Sequence, residues 1–227
     1  MKLDEKEILR YLGYNHQKID LQTNNLIKEC IKEIKELIHK HYIYQIFDIE
    51  KKYHHIHLKN TKLFLEGIDI YNHLFHSEKC AILAVTLGNI IDKRIKYYSK
   101  INLTKSLIFD ACATTAIEAM ADNTEEEIIT YAKQNNYHTT YRYSPGYGDF
   151  PLSIQPEILK ILDTERKIGL TVTQDFLLLP RKSITAIIGF QKDPVSLNSK
   201  NCKTCNLYET CTYKKEGNHC GYKKINE

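Results

Sequence analysis

No apolar run in the chain approaches the roughly 20 residues needed to cross a bilayer, so a membrane protein is not expected. Residues 1–10 lack the apolar core of a secretory signal and instead alternate acidic and basic side chains, which predicts a cytoplasmic protein. Neither sign of charge dominates: 32 basic and 28 acidic residues leave a net of +4, too balanced to mark a nucleic-acid surface. Internal repeats are absent, as is the regular strand–helix rhythm of a doubly wound sheet. What remains is a globular composition, 42% hydrophobic and 26% charged over 227 residues, with room for one large domain plus appendages.

Periodicity supplies the elements. Over residues 24–39, Leu26, Ile27, Cys30, Ile31, Ile34, Leu37 and Ile38 fall at helical three-and-four spacing, with Lys28, Lys32, Glu33, Lys35 and Glu36 on the solvated face. Residues 42–49 switch toward period two and predict a strand. His54, His55 and His57 lack a nearby carboxylate or cysteine partner and alternate in direction, so they read as structural rather than as metal ligands. A short helix over 69–75, a buried strand over 80–87 ended by Gly88, and helices over 90–98 and 104–122 follow. Glu118 interrupts an otherwise apolar and small-residue stretch of the last helix. Residues 139–152 hold Ser144, Pro145, Gly146, Gly148 and Pro151 and predict a turn-rich loop. A helix over 153–162 and strands over 170–179 and 183–190 complete the pattern. The expected class is α+β, a mainly antiparallel twisted sheet with packed helices, followed by a cysteine-rich C-terminal tail.

The strongest local signal is Arg142-Tyr143-Ser144-Pro145-Gly146-Tyr147-Gly148-Asp149-Phe150-Pro151. Glycine permits close backbone approach, proline fixes its neighbour, and arginine offers a planar donor fork to a carboxylate. On composition alone this is better read as a plain surface turn, since most glycine-proline turns are not sites. The segment from Arg142 to Tyr147 resembles the Arg-x-x-x-Gly-Tyr signature of the activation domain of cobalamin-dependent methionine synthase. Glu118-Ala119-Met120-Ala121-Asp122 is similar to that family's helix motif, and residues 173–186 to its Thr-x-x-Phe…Pro…Ser strand pair. Residues 7–14 and 80–88 look like a free-standing bacterial branch, so the resemblance covers most of residues 7–190.

The resemblance implies a domain over 1–192, with 1–60 as its N-terminal helical and strand portion, and a tail over 193–227. It implies that Arg142 grips the carboxylate of S-adenosylmethionine. The backbone around Tyr143, Ser144 and Gly146 would contact the adenosine portion, and Tyr147 would line the pocket. Glu118 would approach the cationic end of the ligand, where a carboxylate is electrostatically favourable. The family's N-terminal aspartate contact has no match in this sequence. Nor does the chain carry a recognisable corrinoid-, homocysteine- or methyltetrahydrofolate-binding module. The implied role is therefore to support reductive methylation of cob(II)alamin on a separate methionine synthase lacking its own activation domain, with a flavodoxin-like or other electron donor. Binding and orientation are the contribution expected of this chain, and no general acid or base is required.

Cys202, Cys205, Cys211 and Cys220 concentrate four of seven cysteines in a short stretch beside His219. Four thiolates could hold zinc or an iron–sulfur cluster, and spacing does not separate these from each other or from a reduced tail. The first three resemble a tail of the free-standing relatives, whereas Cys220 lies beyond that pattern. The alternative functions are a metal- or cluster-bearing redox activator and a docking module for another corrinoid methyltransferase. Cys30, Cys80 and Cys112 lie in apolar stretches and read as buried, inert thiols.

Overall fold

The computed structural model describes residues 3–14, 17–38 and 41–193. Asp4 opens α1 (Glu5–Tyr11) by accepting from the Lys6 N–H at 2.9 Å, and Asp20 opens α2 (Leu21–Leu37) through the Thr23 N–H at 2.8 Å. The Asp20 cap, rather than the first apolar residue, fixes where α2 begins, so the helix starts ahead of the predicted residue 24. β1 (His41–Lys52), β2 (His55–Leu58) and β3 (Phe64–Leu65) follow, then α3 (Ile68–Leu74), β4 (Ser77–Thr86), α4 (Asn89–Ile101) and α5 (Leu103–Gln134). β5 (His138–Thr139), a 3-10 turn (Leu152–Ile154), α6 (Gln155–Leu162), α7 (Thr164–Ile168), β6 (Thr171–Val172), β7 (Leu178–Leu179) and β8 (Ser183–Gln191) complete the described chain.

Six strands form an antiparallel sheet in the order β3-β2-β1-β4-β8-β5, the class the sequence predicts. Its centre is β4, and both faces of β4 are covered. Ala81, Leu83 and Val85 enter one core with Ile8, Ile34, Ile91 and Cys112 from the helices α1, α2, α4 and α5. Cys80, Ile82 and Ala84 enter a second core with Leu58, Ile70, Ile158 and Leu170. Two-sided burial is why this strand reads as an unbroken apolar run instead of alternating. Each large aliphatic chain buried there contributes about 1.5–3 kcal/mol relative to exposure.

α5 is longer than predicted. Asn102 caps it through the Lys105 N–H at 2.9 Å, and the helix continues past residue 122 to Gln134. The polar run 123–127 hides the reason. Thr124, Ile128 and Ala132 keep the buried stripe going at four-residue spacing, while the Thr124 hydroxyl donates to the Met120 carbonyl at 3.0 Å and so needs no outside partner.

The predicted strand over 170–179 is corrected by the structure: this segment folds back on itself. β6 and β7 form a separate two-stranded hairpin. The Thr173 N–H donates to the Leu177 carbonyl at 2.9 Å, and the Leu177 N–H donates to the Thr173 hydroxyl at 3.1 Å. Phe176 takes a left-handed φ of 62°. Side-chain-to-backbone bonding at Thr173 thus outweighs the strand propensity of the apolar residues 176–179. Cys30, Cys80 and Cys112 are buried free thiols, each pushed up to about 12 chiefly by burial.

Candidate functional site

The chain leaving α5 turns back along the free edge of β8. The Thr140 N–H donates to the Gly189 carbonyl at 2.9 Å, and Tyr143 and Ile187 exchange both backbone bonds, at 2.9 and 2.8 Å. Arg142 sits between these two anchors, and its backbone position is therefore set by the sheet. The buried Tyr143 ring packs against His73, Tyr147 and Phe150. Burial, helped by the Asp69 charge, raises its phenol well above the ordinary range.

Beyond Tyr143 the loop closes on itself. The Gly146 N–H donates to the Phe150 carbonyl at 2.7 Å, the Tyr147 N–H to the Ser144 carbonyl at 3.2 Å, and the Phe150 N–H to the Tyr147 carbonyl at 3.0 Å. The Tyr143 hydroxyl also donates to the Tyr147 carbonyl at 3.2 Å. The far end is clamped to α3: the Asp149 carboxylate accepts from the N–H groups of Ile68 (2.6 Å) and Asp69 (2.9 Å), while the Asp149 N–H donates to the Asp69 carboxylate at 3.1 Å. This reciprocal pair caps a helix whose own preceding residue, Gly67, has no side chain to do so. Gly148 has φ of 54°, and a Cβ there would stand 1.9 Å from Asp69 Oδ2 and 2.8 Å from the Tyr143 hydroxyl, so a side chain would be strained and would displace the Asp69 carboxylate.

Arg142 faces α5. Its Nε lies 2.8 Å from Glu125 Oε2, and its Nη2 lies 2.6 Å from Asp122 Oδ1 and 3.6 Å from Glu118 Oε2. Burial is the first cause that pushes the Glu125 carboxyl upward, with Arg142 opposing it. The structure thus brings together two of the residues singled out in the sequence, Glu118 and Arg142. Tyr147, about half exposed, stands at the outer face of the same loop. Ser144 contributes its carbonyl to the turn, while the Tyr143 N–H is spent on the Ile187 carbonyl of β8 and the Gly146 N–H on the Phe150 carbonyl.

Asp122 and Glu125 were not singled out in the sequence as site residues. The signal that could have found them is spacing: positions 118, 122 and 125 fall on one face of a helix that runs through all three. Along the same stripe, Asp110 and Thr114 hold Lys182 Nζ at 2.9 and 2.8 Å. Cations from two separate segments therefore flank the polar side of α5.

His54 has a left-handed φ of 67° in the turn between β1 and β2, while His57 stacks on Phe64 and bonds the Thr61 carbonyl at 3.0 Å. Among the described residues no group of three or more His, Cys, Asp or Glu is disposed to hold a metal ion. Cys202, Cys205, Cys211 and Cys220 lie outside the described residues. Among the described residues, too, no helix is long and apolar enough to cross a membrane.

The family model described as the activation domain of vitamin B12 dependent methionine synthase matches residues 68–194, which include α5 and the loop. Among solved structures, the fold is similar to that of the MetH reactivation domain bound to AdoHcy, with a TM-score of 0.67 at 14% identity, over 84% of this chain and 74% of that one. No curated protein matches the sequence.

Proposed function

Because the chain belongs to the family of vitamin B12-dependent methionine synthase activation domains, we propose that it binds S-adenosylmethionine and supports reductive methylation of cob(II)alamin on a separate methionine synthase. The observation that carries this reading is the opposed pair of Arg142 and Glu118, 3.6 Å apart beside the glycine loop. The amino-acid end of S-adenosylmethionine offers the complementary set: a carboxylate for the guanidinium, and an ammonium and sulfonium for the carboxylate. The residues present fit the group.

When bound, S-adenosylmethionine supplies the methyl group. Arg142 orients the ligand by its carboxylate, Glu118 favours its cationic end, and Tyr147 covers one side. The segment around Tyr143, Ser144 and Gly146 faces the adenosine portion, presenting the loop surface rather than the N–H groups of Tyr143 and Gly146. A corrinoid-bearing partner that docks over this loop excludes water and turns a rare encounter into a near-intramolecular alignment. Electrons come from a flavodoxin-like or other donor, in the cytoplasm. In the tail over 193–227, Cys202, Cys205, Cys211 and Cys220 are proposed as ligands of zinc or an iron–sulfur cluster, supported by their close spacing. Elemental analysis of anaerobically purified protein tests that assignment, and absence of iron and zinc would refute it.

Calorimetric titration with S-adenosylmethionine tests the main reading. Saturable binding is expected, weakened in Arg142→Ala by about 1.5–3 kcal/mol. No heat from the wild type would refute it. In a coupled assay, loss of cob(II)alamin absorption on a matched corrinoid partner should require this protein, S-adenosylmethionine and a reductant together.

A further inference from the structure

The three carboxylates around Arg142 differ in how firmly they are placed. The Glu125 side chain is 20% exposed and takes Nε, whereas Asp122 is 65% exposed and takes Nη2. Glu118, 49% exposed, stands farther from the same Nη2. A carboxylate held against the helix keeps its partner aimed, while an exposed one is worth little and exchanges readily with solvent. We infer that Glu125 is a positioning residue that holds the guanidinium, and that Asp122 is a displaceable counter-ion occupying the place the ligand's carboxylate takes. This rests on the proposed binding of S-adenosyl ligands and deepens it.

Exchange explains selectivity. A ligand that brings its own carboxylate replaces Asp122 at Nη2, so Arg142 stays paired throughout and the exchange is close to neutral. The net gain then comes from the rest of the ligand and from the released Asp122, which regains water. A nucleoside lacking the amino-acid portion cannot make the exchange and leaves the Asp122–Arg142 pair standing. Asp122 therefore lowers affinity for carboxylate-bearing ligands without touching the others. An acidic wall that merely attracts cations would do the opposite, because removing one of its charges would weaken a ligand with an ammonium group.

The experiment measures affinities of full-length wild type, Asp122→Asn and Glu125→Gln for S-adenosylhomocysteine and for methylthioadenosine, which lacks the amino-acid end. Asp122→Asn should bind S-adenosylhomocysteine about two- to fivefold more tightly, the range an exposed ion pair allows. Its affinity for methylthioadenosine should match the wild type's. Glu125→Gln should bind S-adenosylhomocysteine about fivefold or more weakly, again with methylthioadenosine unchanged, since the guanidinium loses its aim. Unchanged or weaker S-adenosylhomocysteine binding in Asp122→Asn overturns the counter-ion role while leaving the ligand assignment intact. A wild type that binds neither S-adenosylmethionine nor S-adenosylhomocysteine overturns both. Asp122 is exposed, so its substitution does not depend on core packing.

Discussion

The two ends of the 142–149 loop are held by different means. At the Asp149 end, two main-chain N–H groups of α3 bond the carboxylate, and Gly148 packs so closely against Asp69 that a side chain there would have to push its carboxylate aside. At the Arg142 end, the side chain is held by carboxylates of graded exposure. The first end is locked and the second can exchange partners. A loop built this way keeps its shape while leaving one charged group free to change its company, which is what ligand capture on a preorganised scaffold demands.

Substitutions at the locked end should therefore cost stability, and those at the exchangeable end should cost binding. Gly148→Ala should produce the largest effect, a loss of about 2–4 kcal/mol in denaturant unfolding, because a left-handed residue would also drive its Cβ into Asp69. A wild-type midpoint in this variant would mean that the clamp is dispensable. Asp149→Ala removes the remote cap of α3 and should lose about 1–2 kcal/mol, read as a fall in Tm. Arg142→Ala should lose only about 1 kcal/mol of stability, although it loses most ligand affinity; equal losses in both would erase the contrast between the ends. Tyr147→Ala, at a half-exposed position, should shift stability by less than about 0.5 kcal/mol and yet slow reactivation of the corrinoid partner.

The sequence carried the central sheet well because its signals there are local. β4 announces itself by an unbroken apolar run and β8 by another, and both are buried on two faces. The loop was legible for a similar reason: its glycines and prolines mark non-repetitive backbone wherever they occur. The short elements α1, β3, β5 and α7 escaped, and so did two features of the site. The continuation of α5 beyond residue 122 is hidden behind five polar residues, 123–127, so Glu125 could not be placed on the same face as Glu118. The pairing of Asp149 with α3 joins residues some 80 positions apart, and no local pattern reports such a contact. Between β6 and β7 the error ran the other way: apolar composition suggested one strand where a threonine-centred turn makes two.

The bridge between Tyr143 and Ile187 also sets a clock for the loop. The Thr140 and Tyr143 amides donate to carbonyls of β8, so their hydrogens exchange with solvent only when that sheet edge opens. The Tyr147 amide, bonded at 3.2 Å to a carbonyl three residues back, needs only a local opening. Deuterium should accordingly enter Tyr147 long before Tyr143, and a ligand seated over the loop should slow the former while leaving the latter at the pace of the sheet.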